Sequence, residues 1–167
     1  MRKVKEQEYP DKLLLFQNDN LLIEQMSLYD LEDVMQIELA CFESPWSRSY
    51  VIHEIEKNPV SYPIVLRKRD DNRIAGFGIC WIMPEELHIT NVAVHPDYRN
   101  RGYGGHLVRA LLDVGRKHNC VWAVLEVRIS NREAIRLYSD LGFRIAGVAP
   151  HYYDNNGEDA YILRRTL

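Results

Sequence analysis

The alternation of apolar and polar positions divides the chain into short, well-marked elements. Residues 21–26 read Leu-Leu-Ile-Glu-Gln-Met, an apolar-rich run that predicts a first strand. Ser27 and Asp30 then offer cap chemistry for a helix whose positions Leu31, Val34, Met35, Ile37 and Leu39 recur at helical spacing. Ser44-Pro45 favours extended backbone, so this helix ends near Cys41-Phe42. A second helix is expected from about Ser47 to Lys57, before Asn58-Pro59. Strands near 62–69 and 73–82, joined by Asp70-Asp71-Asn72, form an antiparallel hairpin. Another strand runs from Leu87 to Val94 and stops at His95-Pro96-Asp97. Leu107, Leu111, Leu112 and Val114 share one face of a helix from about Gly104 to His118. A strand at 121–128, a helix at 131–141 and strands near 144–149 and 160–165 complete the chain. Asp154-Asn155-Asn156-Gly157 is the turn between the last two.

The predicted order is strand, two helices, three strands, helix, strand, helix, two strands. The strand–helix–strand unit over 87–128 calls for a right-handed crossover and parallel pairing. A mixed sheet with helices on both faces, an α/β (α+β) fold, follows from that order. Residues 1–20 are expected to be an N-terminal extension of unassigned role, and 21–167 a single domain.

Composition narrows the function classes. The chain has 167 residues, 46% of them hydrophobic and 27% charged, enough for one core. A net charge of -3 supplies no general basic field, so direct nucleic-acid binding is not expected. The three cysteines, Cys41, Cys80 and Cys120, form no Cys-x-x-Cys pair, and the six histidines lack metal-ligand spacing. No metal is expected. The basic start, Met1 to Lys5, has no apolar stretch behind it, and no run approaches the roughly 20 apolar residues of a membrane span. These features read as a cytoplasmic protein without membrane contact.

The most informative segment is Arg99-Asn100-Arg101-Gly102-Tyr103-Gly104-Gly105, between a strand and a helix. Glycines let backbone N–H groups approach an anion, and a helix start leaves such groups unpaired with partial positive charge. Arg99 and Arg101 add charge, so the segment suits a phosphate or pyrophosphate. The plainer alternative is a glycine-rich turn with two solvated arginines. Neither the dinucleotide nor the P-loop fingerprint is matched, so NAD and ATP are poor candidates.

Arg99-x-x-Gly102-x-Gly104, preceded by Val92-Ala93-Val94 and His95-Pro96-Asp97-Tyr98, resembles the acetyl-CoA signature of the GNAT acetyltransferases. Four further segments extend the likeness toward the members that acetylate protein N-termini, ribosomal proteins among them: Phe42 to Ser47, Leu125 to Asn131, Leu137 to Phe143, and Tyr152-Tyr153 with Gly157 to Ala160. The resemblance covers roughly residues 21–167 and implies acetyl-CoA as co-substrate. It implies that Val92, Ala93 and Val94 carry the pantetheine arm, and that Arg99, Asn100, Arg101, Gly102, Tyr103, Gly104 and Gly105 hold the pyrophosphate. Asn131 either caps the following helix, contacts the cofactor, or does both.

Acetyl transfer to an amine needs a neutral nucleophile and a stabilised leaving thiolate. An α-amine has a pKa near 8 and a lysine near 10.4, so lysine costs roughly 3 kcal/mol more to deprotonate. An N-terminus is therefore the easier acceptor. Strand alternation puts Trp122, Val124, Glu126 and Arg128 on one face. Glu126 there is either an ion-pair partner or a general base, and the resemblance implies the base. Ala134, Ile135, Tyr138 and Leu141 form the inward stripe of the last helix. Tyr138 alone reads as a core residue, whereas the resemblance implies an acid for the departing thiolate.

Phe42, Trp46, Tyr152 and Tyr153 are candidates to wall an acceptor groove. Glu43 could pair with a cationic acceptor residue, and His151 is a weaker candidate proton carrier. Cys80 and Cys120 are not placed as nucleophiles, so direct transfer in a ternary complex is expected. The expected partner is a protein or peptide N-terminus. A small amine or internal lysine as acceptor, or a non-catalytic acetyl-CoA-binding module, stand as alternatives.

Overall fold

The computed structural model describes residues 12–167. Its eight strands are β1 (Leu14–Gln17), β2 (Leu21–Gln25), β3 (Ser61–Lys68), β4 (Ile74–Met83), β5 (Glu86–Val94), β6 (Trp122–Arg128), β7 (Arg144–Tyr153) and β8 (Glu158–Thr166). Its helices are α1 (Leu31–Cys41), α2 (Arg48–Glu56), α3 (Tyr103–Lys117) and α4 (Arg132–Asp140). One sheet holds all eight strands in the order β1-β2-β3-β4-β5-β6-β8-β7. The β5–β6 pair is parallel and every other neighbouring pair is antiparallel. The mixed sheet flanked by helices is as expected from the sequence.

Two elements differ from the expectation. Leu14–Gln17, inside the stretch expected to be an extension, is a strand on the edge of β2. Its Leu15 and Phe16 pack against the core, and Phe16 lies 5.3 Å from the His106 ring on α3. An isolated apolar tetrapeptide carries no periodicity of its own; the partner strand supplies the reason for it to extend. The last hairpin is also longer than expected. Its register shifts between Ala149 and Tyr153, and the irregular stretch includes Pro150 and His151, the latter at φ 51°. Such a segment does not read as a continuous strand. Residues 1–11 lie outside the described residues.

The core has two parts, one on each face of the sheet. Leu107, Leu111, Leu112 and Val114 of α3 pack with Leu87, Ile89, Leu125 and Leu163 on one face. Val34 and Ile37 of α1 and Val51 of α2 pack with Val65, Phe77, Ile79 and Ala93 on the other. A register shift at Thr90 explains how β5 serves both. Cys80 pairs with Ile89, Ile79 pairs with Asn91, and Thr90 is left over. Before this bulge Leu87 and Ile89 point toward α3; after it Asn91 and Ala93 point toward α1.

A buried ionic network ties the α1 entrance to the sheet. Asp30 bonds Lys12 at 2.6 Å and Arg67 at 2.7 Å, and Glu24 meets the same two cations at 3.4 and 3.2 Å. Ser27 and Asp30 close a capping box around the 3-10 turn that precedes α1. Among the described residues no helix is long and apolar enough to cross a membrane.

Candidate functional site

The parallel strands part company early. β5 and β6 pair only from Glu86–Trp122 to His88–Val124. Beyond that point β6 keeps β8 as its partner while β5 keeps β4, and a gap opens between them. Strand parity decides what faces the gap. His95 N–H donates to Ala75 O at 2.9 Å, and Ala93 O points at β4, where a Cβ on Gly76 would lie 2.6 Å from it. Hydrogen-bonded and non-bonded pairs alternate along an antiparallel ladder, so Val92 and Val94 turn their main-chain groups away from β4 and into the gap. Val94 O accepts there from Arg99 Nε at 3.2 Å and from the Cys41 thiol at 3.3 Å. Ala93 belongs instead to the β4 ladder and buries its methyl on the α1 side.

At the open end of the gap, Asn100 (φ 59°) and Gly102 (φ 77°) take left-handed conformations, and Gly102 is the N-cap residue just before α3. Alternation of this kind lines up successive N–H groups as an anion nest. Gly104 faces Val94, and any Cβ there would press Leu137 at 3.2 Å. Arg101 lies over the Tyr98 ring at 5.7 Å. Asn131 accepts from Ala134 N at 3.1 Å, which makes it the cap of α4.

On the α1–α2 face of the sheet, Glu126 Oε2 lies 2.7 Å from His88 Nε2. Adjacent strands bring them together, since His88 pairs with Val124 two residues before Glu126. The hydrogen bond to Glu126 holds the His88 pKa above its ordinary value despite partial burial. The Tyr152 pKa is raised by burial and then by the charge of Glu126. Arg128 does not take Glu126: it sits 3.7 Å over the Tyr153 ring and pairs with Glu158 at 3.0 Å.

Tyr138 lies on the opposite, α3 side of the sheet, edge-on to Phe143 at 5.7 Å. Burial, with a smaller contribution from Tyr153, pushes its pKa up to about 12. Burial also lifts Tyr153 to about 12, with Tyr152 and Glu126 adding to the rise. Glu126 and Tyr138 thus lie on opposite faces of the sheet, and Tyr153 on the hairpin is close enough to both to couple with them electrostatically.

Phe42 and Trp46 pack against the α1–α2 part of the core, and Trp46 meets Tyr50 edge-on at 4.7 Å. Tyr152 is 47% exposed on the hairpin, edge-on to Tyr153 at 5.0 Å. Asn155 Nδ2 donates to Glu43 Oε2 at 2.9 Å, joining the β7–β8 turn to the α1–α2 loop. His151 is held by Gly157 O and Asp159 on that turn. His88 was not singled out from the sequence. Its only signal there is a polar residue between two apolar ones in a strand, and its partner lies 38 residues away. Among the described residues no cluster of potential ligands could hold a metal ion.

Comparison with known proteins defines the class. The model of the Acetyltransferase (GNAT) family matches residues 31–143, and the chain belongs to that family of acyltransferases. It is similar to the ribosomal protein bS18-alanine N-acetyltransferase of Salmonella typhimurium, at 35% identity over 83% of this chain and 92% of that one. The crystal structure of the ribosomal-protein-S18-alanine N-acetyltransferase from Escherichia coli superposes with a TM-score of 0.79 at 30% identity, covering 87% of this chain and 93% of the other. Ard1 from Thermoplasma volcanium gives a TM-score of 0.79 at 28% identity, over 88% and 97%.

Proposed function

We propose that this protein transfers an acetyl group from acetyl-CoA to the α-amino group of a protein N-terminus, directly and within a ternary complex. The carrying observation is the Glu126–His88 pair, set at the edge of a sheet gap toward which Val92 and Val94 turn their main chain. The similarity to alanine N-acetyltransferases of ribosomal protein bS18 supports the acceptor class, with an alanine-first ribosomal protein as the leading candidate.

Acetyl-CoA supplies an activated thioester. The main chain of Val92 and Val94 offers a strand-like edge for its pantetheine amides, and the loop from Arg99 to Gly105 receives the pyrophosphate. Phe42, Trp46, Tyr152 and Tyr153 line the approach for the acceptor chain from the α1–α2 side. As the amine nitrogen bonds to the acetyl carbon, Glu126, backed by His88, takes the proton it sheds. The carbon–sulfur bond breaks on the Tyr138 side. A tyrosine with a pKa of about 12 lies roughly 3.5 units above an ordinary thiol. Tyr138 therefore steadies the departing thiolate chiefly by hydrogen bonding.

The test is to incubate the protein with acetyl-CoA and a short alanine-first peptide, alongside a blocked peptide with a free lysine, and to map products by tandem mass spectrometry. Acetyl is expected on the α-amine alone. Glu126→Gln should lower kcat by about 10²-fold or more, and Tyr138→Phe by about tenfold. Both variants within about twofold of the parent would defeat the assigned roles. Acetylation of small amines or lysine only, or tight cofactor binding without turnover, would redirect the acceptor class.

A further inference from the structure

We infer that Glu38, a buried carboxylate outside the reacting centre, is the positioning residue that sets the acceptor groove against the cofactor strand. Resting on the acceptor site proposed above, this inference concerns how that site is held rather than what it does.

Glu38 sits in the last turn of α1 and is 1% exposed, an unusual place for a carboxylate. Its two oxygens are divided between two elements. Oε1 accepts from the Trp46 backbone N–H at 2.7 Å, closing the α1–α2 loop eight residues on. Oε2 accepts from Asn91 Nδ2 at 3.1 Å. Asn91 is 8% exposed and directly follows the β5 bulge. The next residue, Val92, turns its main chain into the gap. One side chain therefore spans from the loop that carries Phe42 and Trp46 to the strand that faces the cofactor.

The same loop is tied a second time at its other end, where the Cys41 thiol donates to Val94 O. No apolar side chain could replace Glu38 here, because the Trp46 N–H and the Asn91 amide would both be left without this acceptor. Desolvating a carboxylate is costly, so retaining one where α1 meets β5 implies a demand for both hydrogen bonds. The bulge at Thr90 is what brings Asn91 round to the α1 face. The bulge that sets which main-chain groups of β5 face the gap thus also supplies the contact that registers the acceptor loop against it. A shift of about 1 Å between two reacting groups is enough to cost orders of magnitude in rate.

Three variants test this on the intact chain, by steady-state kinetics with the alanine-first peptide, acetyl-CoA binding by thermal shift, and hydrogen exchange of the Trp46 amide. Glu38→Leu should release the Trp46 amide to faster exchange and lower kcat/KM for the peptide by about tenfold or more, with acetyl-CoA affinity within about threefold. Asn91→Ala keeps the Trp46 bond and cuts only the tie to β5, so peptide turnover should fall while Trp46 stays protected. Glu38→Gln keeps an acceptor for Trp46 and can meet a flipped Asn91 amide, so it should recover activity to within about threefold. If Glu38→Leu does not fold, the contrast between the other two decides.

Asn91→Ala with unchanged peptide kinetics, or Glu38→Gln as damaged as Asn91→Ala, would overturn the positioning role. Trp46 exchange unaltered in a folded Glu38→Leu would overturn it as well, whatever the enzyme's substrate. A parent protein that exchanges as described yet acetylates no α-amine would instead defeat the acceptor assignment.

Discussion

The chemistry assigned to Glu126 depends on one side chain across a strand boundary, His88. The hydrogen bond to Glu126 raises the His88 pKa, and the charges of Glu126 and Glu86 act in the same direction against partial burial. A raised histidine pKa means the imidazolium persists to higher pH, so the stability of the ion pair is full below about 6.5 and fades as pH rises through the raised value. For catalysis the sense is opposite. While His88 is charged its Nε2–H is held on Glu126 Oε2 and occupies the oxygen that would receive the amine proton. The pH profile of kcat, taken at saturating peptide and acetyl-CoA, should therefore climb through a limb lying above about 6.5. His88→Gln keeps a donor but cannot titrate in this range, and the limb should vanish with kcat reduced several-fold. An identical limb in the variant would assign the titration to another group. The carboxylate itself was legible in the sequence from strand parity, which places Trp122, Val124, Glu126 and Arg128 on one face. Its partner was not, because parity says nothing about which strand lies alongside.

At the scale of elements, β5 is the part on which the site turns, and its geometry is enforced by β4. Gly76 lies where the two strands run so close that a Cβ would fall 2.6 Å from Ala93 O and 3.0 Å from the Leu107 side chain. The obstruction is backbone, so the strand itself must move. Gly76→Ala should cost more than about 2 kcal/mol in urea unfolding and weaken acetyl-CoA binding in the same preparation. Gly147→Ala on β7 is the matched control, since its Cβ would meet only Ile162 at an ordinary 3.7 Å. It should stay within about 0.5 kcal/mol. Equal effects at both positions would mean that strand glycines matter here only through entropy. The helices were legible to within a residue or two, because α3 and α4 repeat their apolar positions at helical spacing and carry recognisable caps. The edge strand β1 and the full length of the β7–β8 hairpin were not. The first has only four residues, and the second is interrupted by Pro150 and a left-handed His151.

For the molecule as a whole, the Asp30 network links three distant stretches of chain: Lys12 before β1, Glu24 on β2 and Arg67 on β3. Burial would raise the Asp30 pKa, but the hydrogen bond and charge of Lys12, the Ser27 N–H and the charge of Arg67 together bring it below the usual value. A lowered carboxylate pKa contributes stability at pH above the unfolded value near 3.9, which is lost as pH falls through the folded value. Glu158, held down to about 2 by Ser130 and Arg128, acts in the same sense. Thermal stability should therefore decline as pH falls below about 4. Asp30→Ala should cost about 3 kcal/mol at neutral pH, since it takes one carboxylate from the buried Lys12 and Arg67 while Glu24 stays in place, and should flatten part of that acid dependence. A neutral-pH loss under about 1 kcal/mol would show that the network contributes little.

The order of elements from β2 onward, the glycine-rich helix start, the strand that carries Glu126 and the helix that carries Tyr138 are all written in local sequence. Each depends on periodicity or capping within a window of about a dozen residues. Local pattern does not contain the gap between β5 and β6, the turning of Val92 and Val94 into it, the His88–Glu126 contact or the reach of Glu38 to Asn91. Those follow from how strands are ordered and from a one-residue bulge at Thr90 that reverses the faces of β5. A bulge is a property of a pair of strands, since the extra residue is extra only relative to a partner, and so only the assembled sheet could decide it.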